Sequence, residues 1–245
     1  MTKPEMIIFD YGYTILYEPN ANAENGNRAI YKYIKDNPDN VGFEVFNKTC
    51  IEMFAEIKAK RGTLEIHEHH FLRLLCDYLN ITISVSADEA ERIMWNGISE
   101  GAVMPYVPEM IDYLNKNGIR TAVISNICFS GTALAERINR LLPCNKFEFV
   151  LASSEYIFKK PHSLMFEIAL KKAGLTADKV WFCGDSIFCD VNGAHKCGMF
   201  PVLYEGSTAE ENPSVRDNID MEITFDHLHI HHWRELITVL EQFKK

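Results

Sequence analysis

The 245-residue sequence has no apolar run long enough to cross a bilayer, no block of basic residues and no cysteine pair in CxxC spacing. The first absence argues against a helical membrane span. The second argues against a nucleic-acid partner: 25 Lys and Arg face 34 Asp and Glu, a formal charge of −9, and no cationic stripe offsets it. The seven cysteines, Cys50, Cys76, Cys128, Cys144, Cys183, Cys189 and Cys197, are odd in number and scattered. Reduced, mostly packed thiols in a cytoplasmic protein are the expected state. The N-terminal residues lack a signal-peptide profile. No GxGxxG follows the first apolar run, which argues against dinucleotide binding. Internal repeats and low-complexity tracts are missing too. Net acidity does not exclude an anionic substrate, because the field inside a site is local.

What is present is a series of short, nearly continuous apolar runs at 6–9, 121–124, 147–151, 180–183 and 200–204, with a weaker one at 222–225. Such runs suit strands covered on both faces. From Pro105 onward helix-like stretches separate them. Pro108 suits a first helical turn, Met110, Ile111 and Leu114 share a face, and Gly118 fits a stop. The stretch from Pro161 to Gly174 repeats that design, 190–198 is a shorter version, and Trp233, Ile237 and Leu240 mark the last helix. Strand alternating with helix predicts a doubly wound, Rossmann-like parallel α/β sheet.

Residues 17–100 differ, because strand signals almost vanish there. Phe46, Cys50, Met53, Phe54 and Ile57 fall on one helical face, and Phe71, Leu74, Leu75, Tyr78 and Leu79 on another. Ser86-Ala-Asp-Glu89 has the form of a capping box, and residues 20–37 hold one more helix. The expected organisation is a core from 1–16 and 101–245, interrupted by an all-helical domain at 17–100. Its joins near Tyr17-Glu18-Pro19 and Gly101-Ala102-Val103 read as hinges. The polar stretch 206–220 reads as an exposed loop.

Asp10, Ser125 and Asp185 each end an apolar run, so a parallel sheet would gather them at its carboxyl edge. Phosphoryl transfer needs a nucleophile in line with phosphorus, positive charge on the equatorial oxygens and a route for the leaving group. Asp10 can be a carboxylate nucleophile. Asp10 and Asp185 with the Gly12 carbonyl offer oxygens to Mg2+. Ser125 can donate to phosphate, and Lys160 can neutralise charge. Each residue has an ordinary reading: a turn or cap for Asp10 and Ser125, a solvated ammonium for Lys160 with Lys159 as rival, a helix cap for Asp190. The combination, in this order, is more specific than any member.

Phe9-Asp10-Tyr11-Gly12-Tyr13-Thr14, Ser125-Asn126, Lys160-Pro161 and Gly184-Asp185-Ser186-Ile187-Phe188-Cys189-Asp190 together resemble the four motifs of the haloacid dehalogenase superfamily. The likeness is to the branch with a helical cap inserted after the first strand. The resemblance implies Asp10 as nucleophile, with Ser125 and Lys160 completing the catalytic set. It implies Asp10, Gly12, Asp185 and Asp190 around Mg2+, with Asp190 acting through water or by orienting Lys160. Thr14 and Asn126 are the expected substrate contacts in the core, and Lys58, Lys60 and Arg61 in the cap. Most members are phosphatases of small phosphorylated metabolites; some are dehalogenases.

Position 12 departs from the DxDGT form of the first motif. Gly12 stands where similar phosphatases carry an Asp that protonates the leaving oxygen and then activates water. General acid–base help is commonly worth about 100- to 10,000-fold. A weak or inactive relative that binds a phosphorylated ligand or a protein is therefore the alternative. Carbon–halogen hydrolysis ranks behind both, because Asp185 is the metal-binding version of its motif. His67, His69 and His70 could compensate, but read first as helix-surface residues. The second histidine group, His227, His229, His231 and His232, shows no accompanying acid or Cys pattern. The sequence does not specify substrate or oligomeric state.

Overall fold

The computed structural model describes residues 1–207 and 212–244. Six strands form one parallel sheet: β1 (Met6–Phe9), β6 (Arg120–Ser125), β7 (Val150–Ala152), β8 (Val180–Gly184), β9 (Phe200–Tyr204) and β10 (Leu228–Ile230). Their order is β10-β9-β8-β1-β6-β7. The first strand is central: Phe9 aligns with Val123 on one side and Cys183 on the other. That register brings Asp10 level with the ends of β6 and β8.

Alternation along β1 builds two cores. Ile7 and Phe9 face one side, where α5 (Val107–Lys116), α6 (Gly131–Leu141) and α10 (Trp233–Glu241) supply Leu114, Leu134, Ile138, Trp233 and Leu236. Met6 and Ile8 face the other, against Met165, Phe166 and Ala169 of α7 (Ser163–Ala173) and Ala194 of α8 (Asn192–Lys196). Each large apolar side chain buried in this way contributes about 1.5–3 kcal/mol. The stops fall where expected: Gly118 and Gly174 both take left-handed backbone just past α5 and α7.

Residues between the first and second sheet strands carry α1 (Ala23–Tyr31), α2 (Phe43–Lys60), α3 (Glu68–Tyr78) and α4 (Ala87–Ile98). They enclose their own apolar cluster around Ile30, Phe46, Phe71, Leu75 and Met94. Ser86 caps α4 by accepting from the Glu89 amide. The insert is not purely helical. β3 (Ile34–Asp36) pairs with β4 (Thr82–Ile83), and the joins β2 (Leu16–Tyr17) and β5 (Ala102–Val103) pair antiparallel with each other. These segments are two or three residues long, too short for a pattern of period two to register.

Two further expectations are corrected. The last sheet strand is Leu228–Ile230 rather than 222–225; Ile223 and Phe225 instead pack beside Ile187, Val191 and Leu203. The polar stretch 206–220 is not simply an exposed loop. Residues 208–211 lie outside the described residues, but α9 (Pro213–Asn218) follows, and Asn212 and Asn218 are buried. All seven cysteines are unpaired. No helix among the described residues is long and apolar enough to cross a membrane.

Candidate active site

Asp10 follows β1, Ser125 closes β6 and Asp185 follows β8, so the parallel register delivers all three to one cleft at the sheet's carboxyl edge. The cleft holds about 380 Å³ and is also lined by Gly12, Asn126, Lys160, Ser186 and Asp190. Its outer wall is apolar: Trp95 and Ile98 from α4 face Ile127 and Phe129 from the loop after β6. Trp95 and Phe129 stack with ring centroids 4.2 Å apart.

Lys160 is the hub. Its ammonium donates to Asp10 Oδ1 and to Asp190 Oδ1, both at 2.6 Å, and the residue is 1% exposed. The rival Lys159 is not among the residues lining the cleft, and its amide donates to the Thr63 carbonyl. Asn126 fixes the lysine from behind: its side chain accepts from the Lys160 amide at 2.7 Å and donates to the Lys160 carbonyl at 2.9 Å.

Asp190 sits on a π-helical turn, Ile187–Val191, which carries its carboxylate back over β8. The Ser186 amide donates to Asp190 Oδ2 at 3.0 Å. A Cβ at Gly184 would collide with that carboxylate, so the strand can end there only as glycine. Asp185 accepts from Asn212 at 2.8 Å, and its carbonyl accepts from Asn218 at 2.8 Å. Neither asparagine was singled out from sequence, because both lie in a polar stretch without periodicity.

Carboxylate oxygens of Asp10, Asp185 and Asp190 lie within 4.8 Å of one another. Burial pushes the Asp10 carboxyl up to about 6, with Lys160 opposing and Asp190 adding to the rise. Burial pushes Asp185 up to about 7, reinforced by Asp10 and Asp190. Burial alone would lower the Lys160 ammonium, but the two carboxylates outweigh it and its pKa is raised. Three carboxylates against one ammonium leave a charge of −2 when all are ionised. An all-oxygen cluster with that excess suits a hard divalent cation.

Other expected site residues are placed differently. Thr14 is fully buried; its hydroxyl faces Asp185 Oδ1 at 3.5 Å instead of lining the cleft. Lys60 pairs with Glu56 on the exposed face of α2, because the helix turns it outward. Arg61 pairs with Glu65, and Glu65 also accepts from Ser153 at 2.9 Å, so Arg61 helps tie the insert to the core. Lys58 lines a second, neighbouring cavity.

The first histidine group lies at the join between insert and core. His69 meets Glu91 at 3.2 Å, and Glu91 caps Ser130 at the start of α6. None of His67, His69 and His70 lines the cleft. In the second group the sequence pattern hid a partner: Glu205 brings a carboxylate within 4.8 Å of nitrogens of His229 and His231. Strand β9 delivers it from 24 residues away in the chain.

The parallel sheet thus gathers the acids and the lysine at its carboxyl edge, beside the insert. Residues 7–203 match the haloacid dehalogenase-like hydrolases, and the chain belongs to that family. A ribulose-1,5-bisphosphate 5-phosphatase of Halopiger xanaduensis is 23% identical over 229 residues, covering 90% of this chain and 93% of that protein. A glyceraldehyde 3-phosphate phosphatase of Methanothermobacter thermautotrophicus is 24% identical over 233 residues, covering 90% and 95%. Among solved structures, a HAD phosphatase from Thermococcus onnurineus superposes with a TM-score of 0.63 at 16% identity, covering 96% of this chain and 97% of that one.

Proposed function

We propose that this chain is a Mg2+-dependent phosphatase of a small phosphorylated metabolite, with Asp10 as the nucleophile. The observation that carries the reading is the 2.6 Å contact of the buried Lys160 with both Asp10 and Asp190, beside Asp185. A dehalogenase has no use for that excess of negative charge, whereas a phosphatase that binds a divalent cation does. Relatives named as phosphatases of sugar and triose phosphates point the same way.

Asp10, Asp185 and the Gly12 carbonyl would hold the cation, with Asp190 behind them. When bound, Mg2+ offsets the negative charge of the phosphate and of the carboxylates. Asp10 attacks phosphorus in line, forming the P–O bond as the ester oxygen departs with its electron pair. Lys160 holds Asp10 Oδ1, which lowers the repulsion between carboxylate and phosphate. Ser125 and backbone amides of the neighbouring loops donate to the phosphoryl oxygens. Water then cleaves the aspartyl-phosphate and restores Asp10. Residues 17–100 act as a cap whose Trp95 and Ile98 shut water out of the cleft.

Among the described residues, no acid in the cleft outside the cation-holding carboxylates replaces the side chain absent at Gly12. Tyr11 donates to Glu18 at 2.7 Å, and burial raises its pKa, so it is a poor proton donor and a poorer base. Glu18 is already engaged, accepting from Arg137 at 2.8 Å. Burial raises the Cys189 thiol to about 11. Leaving groups that depart without protonation should therefore be strongly preferred. The second reading, a protein that binds a phosphorylated ligand and scarcely turns it over, rests on the same glycine. Turnover of p-nitrophenyl phosphate with Mg2+ separates them: the account expects turnover that Asp10→Asn abolishes, and binding without turnover favours the second reading.

A further inference from the structure

Beside the catalytic cleft lies a second cavity of about 430 Å³, between α1, α2, α3, α4 and the loop at Cys128 and Phe129. Ile98 and Phe129 belong to the walls of both spaces. Its depth is apolar and buried, formed by Cys50, Phe71 and Met94, while Ile51, Ala55 and Lys58 of α2 stand at a solvent-exposed rim. A volume of that size holds an organic group rather than a single water.

Polar side chains interrupt the lining at Asn27, Lys58 and Glu68. Glu68, in the first turn of α3, is 4% exposed; the Cys128 thiol lies beside its carboxyl, but its Oε1 finds no hydrogen-bond partner among the described residues. The main chain fixes it: the Glu68 amide donates to the Cys128 carbonyl at 2.9 Å. Asn27, the other buried polar group there, is already engaged, donating to Asn47 at 2.8 Å and accepting from the Cys50 thiol at 3.2 Å. A buried acceptor without a donor is destabilising, and a ligand that brings a donor removes that cost.

We propose that this chamber receives the leaving-group end of the substrate: an apolar body reaching past Ile98 and Phe129, with a hydroxyl or amino donor set against Glu68. The assignment rests on the phosphatase reading and deepens it. Among phosphates whose leaving oxygen departs unprotonated, the chamber would select in binding those with a mid-length or branched amphiphilic body, three-carbon phosphates being too short to fill it. Lys58 at the rim would meet any anionic group extending beyond it.

Calorimetric titration of the Mg2+-loaded protein with n-alkylphosphonates from methyl to octyl, and with their ω-hydroxy counterparts, tests this. Affinity should rise about fourfold per methylene until the chamber ends. The best ω-hydroxy compound should bind about tenfold more tightly than its plain counterpart. Glu68→Met should erase the hydroxyl preference and keep the length dependence. Ala55→Trp, at the exposed rim, should blunt the length dependence. Affinity that is flat with chain length, or a hydroxyl preference that survives Glu68→Met, overturns the assignment. Length-dependent binding without any acetyl phosphate hydrolysis strikes the catalytic reading alone. Hydrolysis with flat binding strikes the chamber alone.

Discussion

Lys160 Nζ lies 2.6 Å from Asp10 Oδ1, across 150 residues of sequence, with both groups out of solvent. Burying that ammonium is tolerable only because Asp10 and Asp190 face it from two sides. Lys160→Met would leave two buried carboxylates without their cation. The expected outcome is a loss of about 3–5 kcal/mol in unfolding free energy, the usual range for breaking a buried pair. Turnover of p-nitrophenyl phosphate should fall at least 100-fold, measured beside urea unfolding on the same preparation.

Gly12→Asp should raise activity. A Cβ at Gly12 meets nothing closer than Asp10 Oδ2 at 3.9 Å, and the backbone there is not left-handed. The new carboxyl fits beside the nucleophile and supplies the missing proton donor. Turnover of alkyl phosphates should rise about 10-fold or more, with much less gain for p-nitrophenyl phosphate, whose leaving group needs no acid. Equal gains for both substrates would contradict the assignment of the defect to leaving-group protonation.

Asn212 and Asn218 hold Asp185 through its side chain and its carbonyl. Outer partners of metal-holding carboxylates typically matter about 10- to 100-fold. Asn212→Ala should therefore raise the Mg2+ concentration for half-maximal activity about 10-fold with little change at saturation. A kinetic Mg2+ titration of parent and variant reads this directly.

The strong legibility of Asp10, Ser125, Lys160 and Asp185 has a physical reason. Asp10, Ser125 and Asp185 each end or follow a buried apolar strand, and parallel strands at this register leave their ends at one edge; Lys160 follows no strand and was legible only as part of the Lys160-Pro161 motif. Asn212, Asn218 and Thr14 were opaque or misassigned because their roles depend on which way a side chain turns at a loop or buried turn. Lys60 followed the right helix onto the wrong face. Glu205 joins His229 and His231 only through the pairing of β9 with β10, a partnership that the run at 222–225 mimicked and Leu228–Ile230 makes.

The chamber carboxyl makes a pH-dependent contribution to stability. Burial raises Glu68 from 4.5 to about 7. Between those values the folded protein holds a proton that the unfolded chain releases, so this group's contribution falls as pH rises through that window. Glu68→Gln removes the effect. Its stability relative to the parent should be unchanged near pH 4 and higher by on the order of 3 kcal/mol near pH 8. Chemical denaturation at a series of pH values gives the difference, and parallel curves for the two proteins would contradict the burial of an ionising Glu68.

The central claim is that Asp10 becomes covalently phosphorylated. Acid quenching during acetyl phosphate turnover, followed by peptide mass spectrometry, tests it most directly. The account predicts a phosphoryl group on the peptide carrying Asp10, dependent on Mg2+ and absent in Asp10→Asn. A phosphoryl group on another residue, or undiminished turnover by Asp10→Asn, would contradict it.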